Sequence, residues 1–341
     1  MIKIIHCVIF LMGLVFAQTQ DLYINAGFRK MEEGDYSTAL VYLNKAVQQD
    51  PTKAKGYYKR AVLKKMQGDL KSAILDLDTA LFKESNYTPV HYLKAEILEG
   101  IGKREMALRE ISRYIQQNPR DLNGYEFKID LLQKEQLDKA ALLTAEDMVA
   151  NNPDLALSWK TRGRIRESQL DGPGALKDYD KCLELAVQDS LCLIRRANLR
   201  FDMGEASGAA IDYTAFLSRY PEYPDLWVNL SEARASIKDT LGAIRALDSA
   251  LLKKVDDAGL FLSRGFYLLT QKKYEPAEMD YIRALDMNTE ERALALFNKG
   301  LCIFYLDRKE EACKDWTEAS NANPPVEEAK FWLKKYCAEK K

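Results

Sequence analysis

Histidine is nearly missing from this 341-residue chain: only His6 and His91 occur. His6 lies in the apolar N-terminal stretch and His91 stands far from any cysteine, so no zinc-site spacing exists. There is no Gly-x-Ser-x-Gly, no Cys-x-x-Cys and no Walker motif. Nucleophile-elbow hydrolysis, dithiol redox chemistry and P-loop phosphate binding therefore lack a sequence signature, and neither a cofactor nor a metal is expected. Glycine and proline are modest and 30% of residues are charged, which argues against long disorder. The formal net charge of -1 provides no basic field for nucleic acid. Beyond the N-terminus no segment is apolar enough to span a bilayer.

The first 17 residues differ from the rest. Lys3 is their only formally charged side chain, Val8 to Phe16 is apolar, and Val15-Phe16-Ala17 ends on a small residue. This is the form of a secretory signal peptide cleaved after Ala17, which predicts export to the periplasm or the exterior. An apolar helix capping the first repeat is the alternative. Export permits disulfides. Removing the leader leaves Cys182, Cys192, Cys302, Cys313 and Cys337, an odd number. Cys182 ends one helix and Cys192 opens the next, so they could meet. Cys313 and Cys337 lie on consecutive C-terminal helices and could clip the end of the chain. Five small buried hydrophobes are the other reading.

What is present is a 34-residue beat. Gly34, Gly68 and Gly102 are 34 apart, each followed five residues on by alanine at Ala39, Ala73 and Ala107. Trp159 and Trp227 stand two periods apart. A period in this range predicts stacked helical hairpins. Small residues recur in the first helix, at Gly27, Ala61, Ala95, Gly163, Ala197, Gly265 and Gly300, and again 12 positions on. Paired small residues let antiparallel helices approach closely. The fourth and seventh units fit less well, with Ile129 and Ser231 at the first site. Glycine ends the first helix of several units. In the fifth, Asp171-Gly172-Pro173-Gly174 is expected to form the turn. Arg60 precedes Asp76 by 16 residues, and the interval recurs at Arg162/Asp178, Arg196/Asp212, Arg264/Asp280, Lys299/Asp315 and Lys94/Glu110. These charges should face one another within each hairpin and fix it, with desolvation offsetting part of the attraction. A catalytic carboxylate pair would occur once, not in six hairpins.

These residues resemble the tetratricopeptide-repeat family. The pattern is fullest in the ninth unit, at Asn298-Lys299-Gly300, Ala312-Cys313-Lys314-Asp315-Trp316, Ala319 and Pro324. The fifth unit matches at Trp159, Thr161-Arg162-Gly163, Ala175 and Asp178-Tyr179. The C-terminal Ala-Cys-Lys-Asp-Trp and Lys-Tyr-Cys are similar to exported repeat proteins of Bacteroidetes-type bacteria. The resemblance implies an all-α solenoid of about nine hairpins over residues 18–324, with a closing helix and tail over 325–341. It implies a right-handed superhelix that binds peptides or protein surfaces on its inner face, without catalysis.

In that family the first helix of each hairpin lines the inner surface. By register this face carries Leu262, Phe266, Leu269, Phe297, Leu301 and Phe304 in units eight and nine. Such a strip either binds a partner, is covered by the closing helix, or is buried in a homo-oligomer. Ile24, Phe28, Tyr58 and Val62 make a smaller strip at the other end. Between them lie Glu96, Glu99, Glu126 and Asp130, then Lys160 and Arg164, a charge pattern that suits either a mixed-charge segment or solvent. Lys65 and Asn198 fall in separated units, so capture of a C-terminal carboxylate by the family's clamp is not expected. The sequence reading is thus a non-catalytic protein-binding scaffold, or a self-associating repeat protein.

Overall fold

The computed structural model describes residues 19–254 and 257–337. The leader-like residues 1–17 lie outside that range. The chain divides into two compact units, Met1–Asp171 and Gly172–Lys341. The described part of the first unit is α1 (19–32), α2 (Tyr36–Gln49), α3 (Ala54–Met66), α4 (Leu70–Lys83), α5 (Pro89–Gly100), α6 (Arg104–Gln117), α7 (Leu122–Lys134), α8 (Asp138–Asn151) and α9 (Ala156–Ser168). The second is α10 (Gly172–Leu185), α11 (Ser190–Asp202), α12 (Ala206–Leu217), α13 (Pro224–Ser236), α14 (Thr240–Leu251), α15 (Ala258–Thr270), α16 (Tyr274–Asp286), α17 (Arg292–Tyr305), α18 (Lys309–Asn321) and α19 (Glu327–Trp332), closed by a π turn at Leu333–Cys337. No β-strand occurs among the described residues. Within each unit consecutive helices pack serially, α3 on α4 and α4 on α5 in the first, α15 on α16 and α16 on α17 in the second.

The helices form because one stripe of each is apolar and small. In α4 the buried residues are Ala73, Asp76, Leu77 and Ala80, the i, i+3, i+4, i+7 spacing of a single face. The recurrent alanines of the second helices, Ala39, Ala73, Ala107 and Ala141 in one unit and Ala175, Ala209, Ala243, Ala277 and Ala312 in the other, are fully buried. Their partners are as tight. A Cβ added at Gly300 would stand 2.5 Å from Nε1 of buried Trp316, so only glycine admits that ring.

Turns are made by a left-handed residue followed by a cap. Gly34, Gly68, Gly102 and Gly204 take φ of 75–83°. Asp35 and Asp69 then accept from the amides of Thr38 and Ser72. In the fifth unit the expected turn is misplaced by the sequence reading. Gly172, Pro173 and Gly174 open α10 itself, where proline's missing N–H costs nothing. The left-handed position falls on Leu170, with φ 63° and a side chain 92% exposed. Leu170→Gly should therefore remove backbone strain without losing packing, raising stability by about 1 kcal/mol in chemical denaturation.

The charges at 16-residue spacing meet as ion pairs. Arg60, Arg196 and Arg264 hold Asp76, Asp212 and Asp280 bidentately, at 2.6–2.9 Å. Lys299 reaches Asp315 at 3.1 Å and Lys94 reaches Glu110 at 3.5 Å. Arg162 and Asp178 have one member in each unit. Four of these cations also reach backwards, to the hairpin before. Arg60 bonds Asn44, Lys94 bonds Asp78, Arg196 bonds Asp180 and Arg264 bonds Asp248. The guanidinium fork thus ties two successive hairpins, which the sequence reading did not anticipate. The weak seventh unit dispenses with the pair. At 34 positions after Arg196 and Asp212 stand Leu230 and Ala246, both buried. Apolar packing there substitutes for a desolvated pair at little net cost.

Candidate functional site

Helices α15 and α17, the first helices of units eight and nine, wall a groove of about 350 Å³. Leu262, Phe266 and Tyr267 form one side, Leu294 and Glu291 the other, with Tyr281 also lining it. Phe266 is 50% exposed and Leu294 44%. Beside it, the N-terminal end of α17 and the loop after α18 bound a larger cavity of about 690 Å³, which Glu291 and Leu294 also line.

The apolar strip does not run on as one open surface. Leu269 packs into the core under α15 and α16. Phe297 is buried, and with Leu301 and Phe304 it joins the cluster around Trp316 that α19 and the π turn complete. The Phe304 ring lies 5.6 Å from Trp332 and 4.7 Å from Tyr336, so the closing segment covers this half of the strip. Of the six residues, Leu262 and Phe266 reach the groove, and Leu294 completes it. Leu294 was legible only by carrying the repeat's one-residue offset from Gly259 into unit nine.

In the first unit, Ile24 is buried, and Phe28 and Val62 pack in its cluster. The Lys59 ammonium sits 4.3 Å from the Phe28 ring centre, and burial pulls its pKa down, followed by the charge of Lys55. Tyr58 meets Tyr87 edge-on at 5.6 Å. The acidic patch is largely neutralised: Lys65 pairs with Glu96 at 2.7 Å, and Lys134 with Glu99 at 3.0 Å and Asp130 at 2.8 Å. Lys160 is half-buried and Arg164 exposed on α9. Clamp-like Lys65 and Asn198 are both engaged within the fold, Asn198 by the Tyr213 hydroxyl.

Other reactive groups are tied down. His91 Nδ1 lies 2.7 Å from Glu110 in the interior. Burial pushes the Glu110 carboxyl up, but the His91 bond and the Lys94 charge outweigh it and hold it below its ordinary value. Burial pushes the Cys302 thiol up to about 12, which leaves no thiolate at neutral pH. The sulfurs of Cys182 and Cys192 are bonded (Cα–Cα 6.6 Å), as are those of Cys313 and Cys337 (Cα–Cα 5.8 Å). Asp189 stands near the first bridge, but bonded sulfurs are not metal ligands, and its carboxylate caps α11 through the Cys192 amide. No helix of the described residues is long and apolar enough to cross a membrane.

Comparison with known proteins agrees with the fold. Tetratricopeptide-repeat profiles match residues 30–97 and 194–259. DnaJ homolog subfamily C member 3 of Mus musculus is 22% identical over 280 residues, covering 75% of this chain and 51% of that protein. Tetratricopeptide repeat protein 36 homolog of Nematostella vectensis is 44% identical over 55 residues, 16% of this chain and 30% of that one. The chain spans at most about half the length of the curated relatives it matches. Among solved structures, YrrB aligns with a TM-score of 0.50 and 19% identity, over 56% of this chain and 97% of YrrB, and supports the fold. With its stacked hairpins, its buried small residues and these matches, the chain is built of tetratricopeptide-type repeats, matched over residues 30–97 and 194–259.

Proposed function

We propose that the chain is an exported scaffold of the cell envelope or exterior that holds a protein segment in the groove between α15 and α17. The observation that carries this reading is Phe266, half its surface open to solvent in an apolar groove of about 350 Å³. The crystal structure of YrrB, described as a TPR protein with an unusual peptide-binding site, is consistent with such use of the fold. The leader-like residues 1–17 and the two disulfides support export.

Pulldown from envelope extract with the mature chain and with Phe266→Asp tests the reading. The expected result is loss of the recovered partner from a variant with unchanged helical circular dichroism. Equal recovery by both chains counts against the groove. Light scattering across concentration distinguishes self-association, in which Phe266→Asp would convert a dimer to a monomer. For export, N-terminal sequencing of the chain from its native compartment should begin at Gln18.

A further inference from the structure

We propose that the groove between α15 and α17 selects an extended segment carrying a bulky apolar side chain beside lysine or arginine. This rests on the groove reading above and adds the chemistry of the occupant. The groove departs from the repeat at one informative place. Tyr213 and Tyr281 stand 68 positions apart, two repeat periods, on the second helices of units six and eight. The Tyr213 hydroxyl donates to the side-chain carbonyl of Asn198 on α11. At 68 positions after Asn198 stands Phe266. The residue that opens an aromatic ring to solvent is thus the one that deprives Tyr281 of its acceptor. Tyr281 is 1% exposed, and its hydroxyl has no hydrogen-bond partner. A buried donor left unmade is unfavourable, and such local inconsistencies concentrate where a protein binds something. Here the same substitution builds the apolar contact for a ligand and leaves a donor at the groove's floor for an acceptor on it.

The rim adds a sign. Glu291 lines the groove at the start of α17, and Glu232 lies on α13, near enough for its charge to act on Tyr267 of the groove wall. Neither makes an ion pair among the described residues. The Tyr267 phenol, on the groove wall, is pushed up by burial and then by the negative charge of Glu232. Nearby cations are already committed: Lys254 to Asp257 at 2.9 Å and Asp225 at 3.9 Å, and Arg292 to Glu318 at 2.7 Å. The unpaired Glu291 carboxylate on the groove, with the Glu232 charge acting on its Tyr267 wall, favours a basic neighbour for the anchoring side chain and repels an acidic one.

Fluorescence anisotropy with three labelled extended peptides of equal length tests this on the mature chain. One carries leucine flanked by lysines, one leucine flanked by glutamates, and one serine flanked by lysines. The lysine–leucine peptide is expected to bind about tenfold tighter than either other, with the margin shrinking as salt rises. Glu232→Gln combined with Glu291→Gln should bring the two leucine peptides to within about threefold of one another. Phe266→Asn, which restores the arrangement of unit six, should raise the thermal midpoint while abolishing binding. If both leucine peptides bind equally and Phe266→Asn removes both, the charge preference is wrong and the groove stands. If no peptide binds, or binding survives Phe266→Asn, the groove reading itself fails and the proposal with it.

Discussion

Arg264→Met should destabilise the second unit by about 3 kcal/mol, the low end for removing one member of a buried pair. The Arg264 side chain keeps 24% of its surface and Asp280 only 4%, so the carboxylate is the member stranded. Arg264 is the only cation bonded to Asp280 among the described contacts, whereas Asp76 also has Lys64 at 2.8 Å and Asp212 also has Arg200 at 2.9 Å. Arg60→Met and Arg196→Met should accordingly cost less. Arg264 also holds Asp248, so its loss loosens α14 from α15 as well as α15 from α16. The double variant Arg264→Leu with Asp280→Ala reproduces the Leu230 and Ala246 of unit seven. It should recover most of the loss, a coupling visible in a double-mutant cycle by urea denaturation. Additive losses would mean that Arg264 and Asp280 are not coupled within their hairpin.

Breaking the Cys313–Cys337 bridge is the second large effect. The bond closes a 24-residue separation, worth about 3 kcal/mol in the chain-entropy account, all of it acting on the closing segment. Helix α19 has six residues, too short to persist alone, and it stays because Trp332 and Tyr336 pack on Phe304 and Trp316. Cys313→Ser should therefore release α19 and the π turn, shift tryptophan emission to the red, and raise hydrogen exchange in α17 and α18. Exchange in α10 and α11 should not change. Both sulfurs of Cys182–Cys192 belong to fully buried residues, so that bridge should resist a mild reductant that opens the terminal one.

Much of this architecture was legible in the sequence because a repeat writes each constraint several times over. The 34-residue interval placed the hairpins, and the 16-residue interval found the intrahairpin ion pairs. The backward contacts to Asn44, Asp78, Asp180 and Asp248 were equally periodic, but they join different hairpins, and reading one hairpin at a time hides them. Leu170 shows another limit. Glycine marks a left-handed turn, yet Gln136, Leu170, Lys238, Lys272 and Asp307 take the same conformation without it, because the helices on either side impose the geometry. Asp171-Gly172-Pro173-Gly174 looked like a breaker and is a helix start.

The candidate site was half legible. Helical register put Leu262 and Phe266 on the inner face but could not say that α19 would cover Phe297, Leu301 and Phe304, since that depends on how a proline-linked segment folds back. Nor could it say that Lys65 and Lys134 would neutralise Glu96, Glu99 and Asp130. The most telling feature, Tyr281 without an acceptor, needed both the register comparison with Asn198 and a buried hydroxyl, and only the first is in the sequence.

A photoreactive phenylalanine analogue at position 266, compared with one at exposed Ile211 on α12, tests the central claim most directly when irradiated in the native compartment. The account predicts an adduct from position 266 alone, joined to another protein through a stretch holding a bulky apolar residue beside lysine or arginine. Adducts from both positions alike, or from position 266 only to a second copy of this chain, would contradict it.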